Sequence, residues 1–399
     1  MKILLAHNSY QQQGGEDSVV KAEVELLRSH ANEVMVYRRN NLEIKRSSLF
    51  SSAVSTIWSR RTSDELGLLC DTFEPDIIHA HNTFPLISPS LYWLASKRKI
   101  PIVQTLHNFR LLCPQAMFLR KGVACEDCLG KVPWRAVTRR CYHSSVLQSA
   151  LIANMLMTHR AAGTYQNRVS AFIAMNGFCR EKFIAGGLPA ERIHVKPNFV
   201  EGSHTPNWED RRDGLFIGRL SEEKGIAVLI AAAALLSASN TRKIESLRIK
   251  IVGIGPLSAQ VGQAFKDDYL ALKNREEIFA LLHKTLFLVV PSTCYENFPL
   301  VVAEAFSCGV PVIASRHGSL ADIVNDGVNG LLFHPGDAAD LASKIAWAQA
   351  NPEIMQAMGR AAYQEYLAKY SPAVNYRIMT TIYRHALATQ GSRDESQKK

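Results

Sequence analysis

The stretch that most constrains this chain runs from residue 286 to residue 314. Residues 286–290, LFLVV, are an unbroken apolar run that predicts a buried strand, stopped by Pro291-Ser292. A polar loop carrying Glu296 follows, and Pro299 stands where a helix can begin, because its missing N–H costs nothing there. The predicted helix, 300–307, carries Glu304 and ends at Gly309, and a second strand, 310–314, leaves it. A strand–loop–helix–strand unit builds parallel sheets, and its loop lies at the carboxyl end of a strand, where open α/β sheets bind ligands. The N–H groups of Asn297, Phe298 and Leu300 at that helix start predict an anion site. Two carboxylates eight residues apart, Glu296 and Glu304, could flank the anion and bind hydroxyls beside it.

Glu296, Glu304 and the closing PVI resemble the E-x7-E signature of retaining glycosyltransferases of the GT-B fold, in particular the nucleotide-sugar-dependent family 4 (group 1). The resemblance implies an α/β chain of two Rossmann-like parallel-sheet domains facing a central cleft.

The 399 residues predict two domains, and 47% hydrophobic with 21% charged residues is a globular composition. No apolar stretch approaches the ~20 residues of a spanning helix, and MKILLAHNSY reads as a first buried strand rather than a secretory signal. Eight dispersed cysteines without an export signal imply a reducing cytoplasm. The net charge of +10 fits nucleotide diphosphates and an anionic membrane face; no nucleic-acid-binding signature accompanies it.

In the first half, strands at 3–6 and 33–37 enclose a helix at 17–29. Gly14-Gly15 before that helix allows close backbone approach to a ligand, or is simply a turn; the resemblance places such a pair against donor and acceptor phosphates. The stretch 41–62, LFSSAVSTIW between basic ends, reads as an amphipathic helix packed on the domain or as a membrane contact. His79, His81 and Asn82 end a strand at 76–80. His107 follows a strand at 102–105 and matches the family's active-site histidine, which contacts the donor sugar.

Cys113, Cys125, Cys128 and Cys141 form a separate constellation within an insertion at about 113–141. Four soft ligands suit a closed tetrahedral zinc; isolated reduced thiols and a redox function are the other readings. Residues 145–160 read as a helix, either core or facing membrane or acceptor.

Pro197-Asn198 matches the family's interdomain element, with Phe199 and Glu201 departing from it. In GRLSEEKG, Gly218 and Gly225 give room, and the stretch resembles the family motif whose Arg and Lys, here Arg219 and Lys224, clamp the donor diphosphate, Arg as a fork and Lys as a point charge. Gly253 and Gly255 permit close approach of a nucleotide.

The resemblance divides the chain into an acceptor-side domain (1–200), a linker (201–213), a nucleotide-sugar domain (214–370), a terminal helix crossing back (371–390) and a disordered tail (391–399). It implies transfer of a hexose from a UDP- or GDP-sugar to an acceptor hydroxyl with retention. Catalysis would fall to His107, Arg219, Lys224 and Glu296, and donor binding to Gly14, Gly15, Asn198, Gly218, Gly253, Gly255, Asn297, Phe298, Pro299, Leu300 and Glu304. No catalytic metal is expected, since no D-x-D motif stands where a donor would need one. The expected partners are the nucleotide sugar, a glycan or lipid-linked glycan acceptor and an anionic membrane surface. The expected location is cytoplasmic, peripheral on the inner membrane face, in surface polysaccharide or lipid-linked oligosaccharide synthesis. A non-catalytic sugar-nucleotide-binding subunit is the alternative.

Overall fold

The structure, a computed structural model, describes residues 1–9, 14–46, 54–202, 205–238 and 248–396. The chain divides into two compact units. The first comprises Met1–Met117, Glu126–Pro197 and Asn375–Lys399; the second comprises Phe118–Cys125 and Asn198–Val374.

The first unit holds a parallel sheet of β1 (Lys2–Ser9), β2 (Glu33–Asn40), β3 (Ile77–Ala80), β4 (Ile102–Thr105), β7 (Ala171–Ala174) and β8 (Ile193–Val195), in the order β2-β1-β3-β4-β7-β8. Strands β5 (Leu119–Arg120) and β6 (Val123–Ala124) form a small antiparallel hairpin that belongs to the second unit. Strand β1 is buried from Ile3 to Ser9, as strands covered on both faces are, yet its last three residues are the polar His7, Asn8 and Ser9. The order of the sheet reverses between β1 and β3, so those polar residues stand at a topological switch point. Helix Gly15–Ser29 buries Val19, Val20, Val24, Leu26 and Leu27, and with them the carboxyl of Glu23.

The second unit holds β9 (Arg212–Ile217), β10 (Ile249–Val252), β11 (Thr285–Val290), β12 (Val312–Ser315) and β13 (Gly330–Phe333), all parallel in the order β10-β9-β11-β12-β13. Its switch point lies between β9 and β11. Phe216, Phe287, Val289, Ile313 and Phe333 centre the core, against Leu341, Ile345 and Met355 of the covering helices. Both units are thus doubly wound parallel sheets, as the α/β expectation requires.

Several boundaries differ from the sequence reading. Strand β9 begins at Arg212, inside the expected linker, because the buried Arg211 is anchored to the carbonyls of Cys308 and Gly309. The amphipathic stretch at 41–62 is not one helix: a 3-10 turn, Asn41–Arg46, and a helix from Arg60 occupy its ends, and 47–53 lie outside the described residues. The last helix, Pro372–Ser396, takes in most of the nine-residue tail.

Candidate functional site

In the second unit the loops after β9 and β11 are pressed together. Gly225 has φ +73°, and a Cβ there would come within 1.8 Å of the Pro291 carbonyl oxygen, so only glycine fits. The Thr293 amide donates to the Glu223 carbonyl (2.9 Å) and holds the loops in register. This contact delivers Lys224 to Glu296, Nζ to Oε1 at 2.6 Å, and the Ser292 hydroxyl donates to the same oxygen at 2.6 Å. Ser319 donates to the Glu296 carbonyl, and His317 binds the Ser292 carbonyl (2.7 Å). Burial alone would raise the Glu296 carboxyl, but the Lys224 charge and the hydrogen bonds from Lys224 and Ser292 outweigh it and hold it below the usual range. The same pairing overcomes burial at Lys224 and raises it.

Arg219, on the loop after β9, is exposed, and its side chain makes no hydrogen bond or ion pair among the described residues. Helix Leu300–Ser307 starts without a side-chain cap, so no side chain competes for its first N–H groups. Glu304 on that helix is held above the usual carboxylate range by burial, only partly offset by Arg275. At Gly253 and Gly255 the close neighbour is protein: a Cβ would meet the Gly218 carbonyl oxygen at 1.8 Å and the Leu220 backbone at 2.4 Å. Asn198 is buried, and its Oδ1 has no hydrogen-bond partner.

The first unit carries a second polar cluster, almost wholly buried. His81 Nδ1 meets His107 Nε2 at 2.8 Å, and His81 Nε2 lies 3.3 Å from Glu23 Oε2. Lys196 donates from its ammonium to Glu23 Oε1 and, at 3.2 Å, to Asn375 Oδ1. His79 is held between Thr105 Oγ1 and the Tyr383 hydroxyl, both at 2.7 Å. Desolvation brings His79 down to about 4. Desolvation and the surrounding histidines and Lys196 push His81 and His107 well below the ordinary histidine range, so all three imidazoles are neutral at neutral pH. Gly14 has open space where a Cβ would stand, and Asp17 accepts from its amide at 3.1 Å while also binding His7 at 2.9 Å. No fold contact among the described residues therefore demands glycine at position 14.

Sequence reasoning named His107 but not its buried supports Glu23, Lys196, Asn375 and Tyr383. One signal was present: Glu23 falls on the apolar stripe of its helix, between Val20 and Val24.

The four-cysteine zinc knuckle is not assembled. Among the described residues, the group of three or more metal-capable side chains with ligand atoms mutually within 4.8 Å is Glu23, His79 and His81, and it contains no cysteine. The chain between Cys113 and Cys125 passes through the β5–β6 hairpin. Glu23, His79 and His81 are themselves poor cation ligands here, since Lys196 occupies the carboxylate and both His79 nitrogens are engaged. No helix among the described residues is long and apolar enough to cross a membrane.

The family described as "Glycosyltransferase Family 4" matches residues 20–203, and "Glycosyl transferases group 1" matches residues 204–365. An uncharacterized glycosyltransferase of Methanocaldococcus jannaschii is 32% identical over 48% of this chain and 54% of its own length. The D-inositol 3-phosphate glycosyltransferase of Mycolicibacterium smegmatis is 27% identical over 81% of this chain and 70% of its own. This chain thus spans about half of the first relative and somewhat over two thirds of the second. HepE from Anabaena, solved in complex with UDP, superposes with a TM-score of 0.63 at 18% identity, over 96% of this chain and 99% of that one. With two doubly wound sheets and both family signatures in sequence, the chain belongs to the group 1, family 4 glycosyltransferases of the GT-B fold.

Proposed function

We propose that this protein transfers a hexose from a nucleoside diphosphate sugar to an acceptor hydroxyl with retention at the anomeric carbon. The observation that carries the reading is the Lys224–Glu296 pair, set with the exposed Arg219 on the two loops flanking the second sheet's switch point. The chemical demand is charge developing on the departing diphosphate. Lys224, Arg219 and the uncapped N-terminus of helix Leu300–Ser307 supply fixed positive potential against it, the task a divalent ion performs elsewhere. Turnover is therefore expected to survive EDTA. Glu296, oriented by Lys224 and Ser292, accepts hydrogen bonds from sugar hydroxyls. Glu304 takes the ribose hydroxyls, and in the first unit His107 meets a sugar hydroxyl while Gly14-Gly15 leaves room for a phosphate.

The donor site is tested by thermal shift with UDP, GDP and their sugar conjugates, UDP first because HepE is complexed with it. A ligand at 100 times its Kd adds about 2.7 kcal/mol of stability. Stabilisation by one nucleotide series supports the reading. No shift with any of them overturns the donor site, while binding without turnover favours the non-catalytic sugar-nucleotide-binding subunit. Anomer analysis of the product then separates retention from inversion.

A membrane-borne acceptor, lipid-linked or part of a surface polysaccharide, fits the exposed Trp134 and Leu147, which share the insertion and its following helix with the exposed Lys131, Arg139 and Arg140. Failure to bind anionic liposomes at low salt would remove that acceptor class.

A further inference from the structure

Behind His107 runs a single line of hydrogen-bonding groups, all in the first unit. Glu23, His81 and Lys196 are 0%, 2% and 0% exposed, so water does not interrupt it. Lys196 claims Glu23 Oε1 and is held on its far side by Asn375, whose amide donates to the Pro197 carbonyl at 2.6 Å. Glu23 Oε2 and His81 Nε2 have no hydrogen-bond partner among the described residues, and they lie 3.3 Å apart, within ion-pair distance but outside hydrogen-bond geometry. The adjoining groups are already committed: His79 to Thr105 and Tyr383, His7 Nε2 to Asp17.

A neutral imidazole carries one N–H, and the His81–His107 contact needs one donor and one acceptor. If His81 carried its proton on Nδ1, its Nε2 lone pair would face the Glu23 carboxylate in a dry interior, which is repulsive. With the proton on Nε2, the N–H dipole meets the carboxylate charge across 3.3 Å, which is attractive. His81 Nδ1 is then an acceptor, and His107 Nε2 must be the donor that meets it. We infer that Glu23, acting through His81, fixes the tautomer of His107, so that His107 offers an unprotonated Nδ1 as a hydrogen-bond acceptor for a substrate hydroxyl. His107 is only half-buried, and its Nδ1 has no hydrogen bond among the described residues. Glu23 and His81 are positioning residues: they act on the substrate through His107.

The inference deepens the proposed reaction and rests on it for the contact between His107 and sugar. It assigns a specificity as well. The hydroxyl that meets His107 must donate, so a fluorine or methoxy group in its place, which can only accept, is rejected.

The test is long-range ¹H–¹⁵N correlation of the full chain labelled at histidine, with His107 assigned by its loss in His107→Gln. The expected wild-type spectrum shows His107 protonated at Nε2 and bare at Nδ1. The Nδ1–H form in the wild type would overturn the inference without recourse to any variant. In Glu23→Gln, the amide oxygen keeps Lys196 and the amide nitrogen turns to His81, so the proton order reverses along the line. His107 becomes Nδ1–H, and kcat falls roughly tenfold with KM for the nucleotide sugar within about twofold. An unchanged His107 tautomer in that variant would refute the coupling. If His107→Ala turns over normally, the sugar contact fails while the tautomer result stands, so the two readings fall separately.

Discussion

The two units hold polar clusters at equivalent places, each at the switch point of a doubly wound sheet, and build them in opposite ways. In the second unit Lys224 and Glu296 are 30% and 12% exposed, and Arg219 stands free at the surface. In the first, Glu23 and Lys196 are sealed completely, and the histidines above them are kept neutral. Partial exposure lets a charge meet an anionic ligand at little desolvation cost. Complete burial instead fixes proton positions, because every donor must find an acceptor without help from water.

The largest effect that could break this contrast is on turnover. Arg219→Ala and Lys224→Ala should each lower kcat by about 10²-fold or more, since in the proposed reaction each removes charge that stabilises the leaving diphosphate. Near-wild-type rates in both would end the assignment.

Stability should rank the units the other way. Lys196→Met leaves the Glu23 carboxylate buried without a counter-charge, a loss of about 3–5 kcal/mol, and adding Glu23→Gln should restore most of it. Lys224→Ala breaks a pair that solvent still reaches and should cost less, about 1–2 kcal/mol. Equal losses in chemical denaturation would show that burial does not separate the two pairs.

Acid sharpens the same point. The folded first unit binds fewer protons than its unfolded chain, because His79 is depressed from 6.5 to about 4. That stability is complete above pH 6.5 and lost as pH falls toward 4. The depressed Glu296 contributes its full stability to the second unit above the ordinary carboxylate value of 4.5 and loses it only as pH falls from there. Hydrogen exchange followed against pH should therefore open the first unit first; simultaneous opening would contradict it.

The smallest effect concerns Glu304, whose burial favours its neutral form. Glu304→Gln should slightly raise the Tm of the ligand-free protein at pH 7 while weakening nucleotide binding roughly tenfold, about the worth of one hydrogen bond to a charged group. Wild-type affinity for nucleotide would remove the ribose role.

The same contrast explains what could be read from the chain alone. Residues 291–313 encode a strand end, a loop and a helix start in succession, so Glu296 and Glu304 announce themselves by spacing. Arg219 and Lys224 do so likewise, within one glycine-bounded turn. Gly253 and Gly255 were visible as glycines, but the neighbour that demands them is the chain's own backbone, which spacing does not reveal. The first unit's line of bonds joins Glu23, His81, His107, Lys196 and Asn375 from five separate segments, and only the closed sheet brings them together. The four cysteines are a related case, since a plausible order in sequence does not specify the path of the loop between them.

One consequence of the last helix concerns synthesis. Tyr383 and Asn375 complete the surroundings of His79 and Lys196, yet they leave the ribosome long after those residues have. At 5–20 residues per second, the wait between Lys196 and Tyr383 is roughly 10–40 s. For that interval the nascent first sheet has a charged pair and a histidine cluster with one wall open to water. Its final folding step therefore belongs to the end of translation rather than to its beginning.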